Sequence, residues 1–201
     1  MDGTRRELLQ MAGRGLAALG TGGVVAGCLD FAAGDGPQGP EGTPETLSCV
    51  DEAFVRLDPA IDGPVTERSV DTPTTTLELS AEGTSETYGS TLRLALRNLG
   101  DDDATTLGRH AYAVQRETGT GWVDVRGSMT GEPATLPVAE ETFAPNDDYT
   151  WSLTLREDAL VDAVPGTDLA VCPALGVGTH RFVYWGIEGA SPVGVEFELI
   201  G

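Results

Sequence analysis

The chain predicts an all-β fold, a sandwich of about seven strands behind an export leader and a tether. Three observations carry this. Apolar and polar residues alternate with a period of two in seven short segments, glycines (27) and prolines (12) punctuate the 201 residues, and hardly a helical period occurs after the leader.

The leader comes first. Arg5-Arg6, followed by Leu8-Leu9, precede a weakly apolar run from Gly15 to Gly27. Its 13 residues would make about 20 Å of helix, short of a hydrocarbon core of about 30 Å, so the run reads as the apolar region of a signal peptide rather than a membrane span. The paired arginines and Leu-Leu resemble a twin-arginine export signal. Val25-Ala26-Gly27-Cys28 is similar to the lipobox of prokaryotic lipoproteins, which implies cleavage before Cys28 and a lipid on its thiol. Together the signals resemble those of haloarchaeal lipoproteins exported by the twin-arginine route. Residues 1–27 are then the signal peptide. A single acyl chain binds a membrane only marginally, at about 0.8 kcal/mol per buried methylene, so a lasting anchor implies two chains or a long isoprenoid.

Residues 28–46 are rich in Gly, Pro and Asp and read as a lipidated tether that lifts the domain off the membrane. Residues 47–201 form the expected β domain with an N-terminal extension. Its strands are read in order. Thr75–Ser80 alternates, and in Thr91–Asn98 the leucines Leu92, Leu94 and Leu96 share one face while Arg93 and Arg97 take the other. Ala111–Arg116 and Trp122–Val125 flank a glycine-containing loop and predict a hairpin. Tyr149–Leu155 follows the turn Pro145–Asp148, and Thr179–Trp185 and Val193–Ile200 close the domain. In the first of this last pair Phe182 and Tyr184 point one way, Val183 and Trp185 the other. One face is therefore expected in the core and the other open to a partner.

The charge narrows the partners. There is no lysine, and 12 arginines face 32 carboxylates, a formal −20. Backbone phosphates would be repelled, which argues against nucleic acid and against attraction to an anionic membrane surface. At about 1 M salt the Debye length shrinks to ~3 Å and such self-repulsion is screened, so the composition points to a halophile surface and a fold that loosens at low salt. Cleavage before Cys28 would leave nine arginines and thirty carboxylates. Lipid rather than charge must then hold the protein at the membrane.

From Thr76 to Leu199 the segments Leu96-Arg97-Asn98-Leu99-Gly100, Tyr112–Val125, Phe143–Leu153 and Gly176–Val183 resemble the immunoglobulin-like domains of exported bacterial and archaeal proteins. His180 stands where that family usually has an aromatic. The resemblance implies adhesion, recognition or scaffolding outside the cell and brings no catalytic residues with it. The expected function is a lipid-anchored extracytoplasmic binding or envelope-structural module on the outer face of the cell membrane, with an unknown protein or glycan as partner. The alternative is an accessory or solute-binding subunit of an exported complex; a redox protein or enzyme comes after that.

Cysteine arithmetic leaves Cys49 and Cys172 once Cys28 is lipidated. An oxidising compartment favours a disulfide between them, two separate buried thiols being the alternative. No catalytic residues, metal or cofactor are expected. His110, Cys172, His180 and Met129 include the residue types of a blue-copper centre. Their spacing argues against it, because seven residues separate Cys172 from His180 and no methionine follows. The two histidines read instead as polar strand-edge residues. No nucleophile elbow, phosphate loop or zinc signature occurs, and no carboxylate pair stands out for glycoside hydrolysis. Asp101-Asp102-Asp103 and Asn146-Asp147-Asp148 could supply oxygens to calcium but read as solvated turns without EF-hand spacing.

Overall fold

Alternation decides which side of each strand turns inward, and in this all-β protein it does so on two sheets. A computed structural model describes residues 36–59, 61 and 64–201. Arg5, Arg6 and Cys28 lie outside the described residues. In chain order the strands are β1 (Val55–Arg56), β2 (Thr66–Glu67), β3 (Ser69–Asp71), β4 (Thr76–Ala81), β5 (Ser85–Thr87), β6 (Thr91–Asn98), β7 (Ala104–Thr106) and β8 (Tyr112–Thr118). They continue as β9 (Gly121–Asp124), β10 (Arg126–Ser128), β11 (Glu141–Phe143), β12 (Asp148–Thr154), β13 (Ala170–Val171), β14 (Gly178–Tyr184) and β15 (Val193–Ile200), with helix α1 (Glu157–Asp162) after β12.

The larger sheet has the order β2-β15-β14-β8-β9, with β5 added in parallel to β15. Facing it is β12-β6-β4-β3, and two small assemblies, β1-β10-β13 and β7-β11, complete the fold. Leu92, Leu94 and Leu96 of β6 are buried and meet Tyr112 and Val114 of β8, Phe182 and Tyr184 of β14, and Val193, Val195, Phe197 and Leu199 of β15 in one core. Each such side chain contributes about 1.5–3 kcal/mol when fully buried. Trp151 of β12 bridges the layers: its ring lies 5.0 Å from Phe182 and 6.2 Å from Tyr112, centroid to centroid, and its Nε1 donates to Arg109 O at 2.9 Å.

All seven expected strands are present, but shorter strands join them, because segments as brief as Val55–Arg56 pair with neighbours that lie far away in the sequence. The helix was not expected. It is too short to show a period, yet it buries Leu160 and places Glu157 to accept hydrogen bonds from Tyr88 Oη and the Leu175 N–H.

Within residues 36–46, expected as part of the tether, three positions hydrogen-bond to the domain. Gly39 N–H donates to Leu175 O, Gly42 N–H to Val177 O, and Gly119 N–H to Pro44 O. Glycine makes the approach possible: a Cβ on Gly39 would stand 1.8 Å from Ala174 O, and one on Gly176 would stand 1.9 Å from Pro40 O. Gly/Pro composition signals flexible chain, but the same small residues permit backbone-to-backbone packing.

Cys49 and Cys172 form the disulfide, with Cα atoms 5.4 Å apart and 123 residues of sequence separation. A loop of that size contributes roughly 4–5 kcal/mol in the chain-entropy view. Beside it, three arginines collect main-chain carbonyls that no strand uses. Arg56 donates to the carbonyls of Leu47, Asp124 and Cys172 at 2.6–2.8 Å. Arg116 donates to those of Gly42, Gly176 and Val177, so it pins the docked segment. Arg126 is wholly buried: its Nε and Nη2 each lie 3.1 Å from an oxygen of Asp124, Nη2 also donates to Tyr112 O at 2.7 Å, and the guanidinium carbon lies 4.6 Å from the Tyr112 ring centroid. Burial alone would lower the Arg126 pKa, but the Asp124 carboxylate reverses this and holds it above its ordinary value.

Arg126→Leu leaves Asp124 charged and unpaired in the interior and is expected to lower unfolding free energy by about 3–5 kcal/mol in urea titrations, whereas Asp124→Leu combined with Arg126→Met recovers most of that loss.

Candidate functional site: the outward face of the larger sheet

On β14 the residues out of phase with the core are Thr179, Arg181 and Val183, and Trp185 continues the same phase just beyond the strand. The register aligns Arg181 with Gln115 of β8 and with Glu196 of β15, while Gln115 pairs with Asp124 and Glu117 with Trp122 of β9. Gln115, Trp122, Asp124 and Arg181 therefore share one outward face.

Part of that face is covered. The chain leaves β1 with Leu57 N–H bonded to Arg126 O and re-enters the sheet with Thr66 N–H bonded to Pro192 O, next to β15. Ala113 and Val183 are fully buried although they point away from the core. Arg56, Leu57, Asp58 and Pro59 line a cleft on either side.

The first cleft, about 840 Å³, is lined by Arg56, Asp58, Gln115, Trp122, Asp124 and Arg181 among others. Arg181 Nε donates to Gln115 Oε1 at 2.7 Å, and its guanidinium carbon lies 4.3 Å from the Trp122 ring centroid, a cation–π stack that fixes both planes. Partial burial lowers the Arg181 pKa to about 10, opposed by the Glu196 carboxylate, so the group stays cationic at neutral pH. Asp124 is spent on Arg126, and Arg56 is committed to its three carbonyls. The second cleft, about 440 Å³, is lined by Leu57, Pro133, Leu136, Val138 and Trp185, and the buried Trp185 Nε1 has no partner among the described residues.

Of the residues considered from sequence, Cys49 and Cys172 come together as a disulfide, so Cys172 offers no free thiolate to a metal. His180 is not at a strand edge. It lies on β14, between β15 and β8, because its inward phase puts it in line with Phe182 and Tyr184. Its ring stacks on Phe197, and Nδ1 lies 2.9 Å from Gly178 O and 3.2 Å from Arg116 Nη1. Met129 is exposed, as are Asp101, Asp102 and Asp103. Asp147 Oδ2 accepts the Ala144 N–H and closes its turn, with Asn146 at φ 66°. Among the described residues no three His, Cys, Asp or Glu side chains form a metal-binding group.

Trp122 opened an expected strand, and the opposition of Val183 and Trp185 to Phe182 and Tyr184 pointed to a second face. Arg181 and Gln115 were not singled out. The signal for Arg181 was its phase: it precedes Val183 and Trp185 at intervals of two.

No family model matches the chain, and no curated protein does. Among solved structures it is similar to chains of a β-glucosidase from Listeria innocua. A mutant in complex with laminaribiose and a form in complex with isofagomine each share 14% identity with it, over 63% of this chain and 16% of theirs, at a TM-score of 0.31. The chain thus spans about a sixth of the length of those proteins.

Burial and the neighbouring Arg116 cation hold the His180 pKa at about 4, so the folded state keeps a neutral ring that the unfolded chain protonates below its ordinary 6.5. This stabilisation is complete above pH 6.5 and is lost as pH falls toward 4, by about 3 kcal/mol at pH 4. His180→Gln is expected to remove that share of the acid sensitivity in unfolding curves recorded from pH 7 to 4.

Proposed function

We propose that the protein is a lipid-anchored extracytoplasmic module with an immunoglobulin-like β-sandwich, which binds an envelope partner on the outward face of its larger sheet. The observation that carries this is the Trp122–Arg181 pair, an aromatic and a cation stacked in a cleft that points away from the core. Aromatic and arginine side chains are the residues that binding surfaces favour, because they offer large contact area with directional donors. The Arg5-Arg6 leader and the Val25-Ala26-Gly27-Cys28 sequence support an exported, lipidated chain, and the Cys49–Cys172 disulfide suits an oxidising exterior. A cleft of about 840 Å³ also falls within the ~300–1,000 Å³ of small-ligand sites. That volume supports the second reading, a solute-binding or accessory subunit of an exported complex.

Cys28→Ser is expected to move the protein from the membrane fraction to the medium or to leave its leader uncut; unchanged membrane attachment overturns the anchor. The purified Cys28→Ser chain, added back to envelopes of cells that lack the protein, is expected to be retained saturably, with retention lowered about tenfold by Trp122→Ala. Equal retention of the Trp122→Ala variant overturns the assignment of this face.

A further inference from the structure

The uncommitted polar capacity at the floor of the Trp122–Arg181 cleft consists of donors. Arg181 spends Nε on Gln115 Oε1, which leaves its two terminal nitrogens without a partner among the described residues. Gln115 then has Nε2 to offer, and Trp122 has its indole N–H; neither donates to a described residue. The nearby Asp124 carboxylate is closed off, since Arg126 bonds both of its oxygens and its side chain is 1% exposed. Such a floor fits a group that only accepts, and a carboxylate is planar and matches the guanidinium fork.

Arg181 also differs from the other arginines below the surface. Carboxylates outnumber arginines 32 to 12 in the chain, so acids are not scarce. Yet among the described residues none lies within ion-pair distance of Arg181, and its cross-strand neighbour Glu196 faces solvent. The other arginines below the surface, Arg56, Arg116 and Arg126, are bonded to main-chain carbonyls. A half-buried guanidinium whose terminal nitrogens bond none of the described residues can accept a partner from outside.

Charge alone cannot hold that counter-ion. The formal −20 repels anions at low salt, and concentrated salt screens the attraction of one guanidinium. Affinity has to come from short-range fit, which here means the bidentate fork and the flat apolar wall of Trp122. Asp58, exposed, also lines the cleft and accepts hydrogen bonds. It suits hydroxyl donors and repels a second carboxylate, which disfavours a polyacidic peptide. We propose that the cleft binds one hydroxylated ring carrying one carboxylate, the uronic-acid unit of an acidic glycan. The proposal rests on the reading of this face as the binding site.

Titration calorimetry of the full-length protein in molar salt tests it, with D-glucuronate as probe and D-glucose, acetate and tetraglutamate as comparisons. Glucuronate is expected to bind with a stoichiometry of one, at least about tenfold tighter than each of the other three. Arg181→Met should abolish binding, and Arg181→Lys, which keeps charge but loses the fork, should retain a weakened part of it, both with unfolding midpoints near that of the parent. Absence of glucuronate binding, equal binding of glucose or tetraglutamate, full competition by acetate at the same concentration, or an Arg181→Met variant that binds as the parent does would each overturn the proposal. If glucuronate fails while Trp122→Ala still lowers envelope retention, the ligand class falls and the recognition face stands.

Discussion

Arg126 sits in the interior of a strongly acidic protein, paired with Asp124 and lying against Tyr112, whose ring stacks 5.1 Å from Phe182 in the central core. A buried ion pair is not a large source of net stability, because desolvation of both charges offsets most of their attraction. Its effect is positional. The guanidinium joins the end of β9, the start of β10 and the carbonyl of β8, and so fixes the small sheet β1-β10-β13 against the larger one. Leu57 is anchored on Arg126 O, so Leu57, Asp58 and Pro59, which line both clefts, depend on the same point.

Arg56 and Arg116 extend the same solution to irregular chain. Sheets satisfy their own backbone groups, but the docked N-terminal segment and the stretch before β14 present carbonyls that no strand pairs. A guanidinium offers five donors in a fixed plane and can serve three carbonyls at once, which an ammonium on a flexible stem does less well. The complete use of arginine as the basic residue thus has an internal role alongside the surface one. Arg181 then stands apart, since its terminal nitrogens bond nothing described and face a cleft.

Much of the fold was legible because burial of one sheet face imposes a period of two, and that period is local. Leu92, Leu94 and Leu96 could be placed inward and Arg93 and Arg97 outward without reference to any other strand, and the structure has them so. The opposition of Phe182 and Tyr184 to Val183 and Trp185 was equally readable. What failed to show were features decided by partners distant in sequence. The helix at Glu157–Asp162 is six residues long, below the length at which a period registers. Residues 36–46 have the composition of a linker, yet hydrogen bonds to residues 175, 177 and 119 dock them. His180 read as a strand-edge residue because its strand could not be ordered within the sheet before pairing was known.

The sequence by itself determined the all-β class, the inward phase of Leu92, Leu94 and Leu96, the opposition of Phe182 and Tyr184 to Val183 and Trp185, and the excess of carboxylates, since these follow from composition and nearest-neighbour periodicity. The partner of Cys49 was inferred by count and compartment, and the tertiary structure places it 5.4 Å from the Cα of Cys172. Only the tertiary structure decided which arginines are internal and that the terminal nitrogens of Arg181 bond none of the described residues. That distinction depends on carbonyls and carboxylates supplied by residues up to 116 positions away, and no local pattern encodes such meetings. The candidate site follows from the same cause: Trp122, Gln115 and Arg181 acquire a shared face when β9, β8 and β14 align in register.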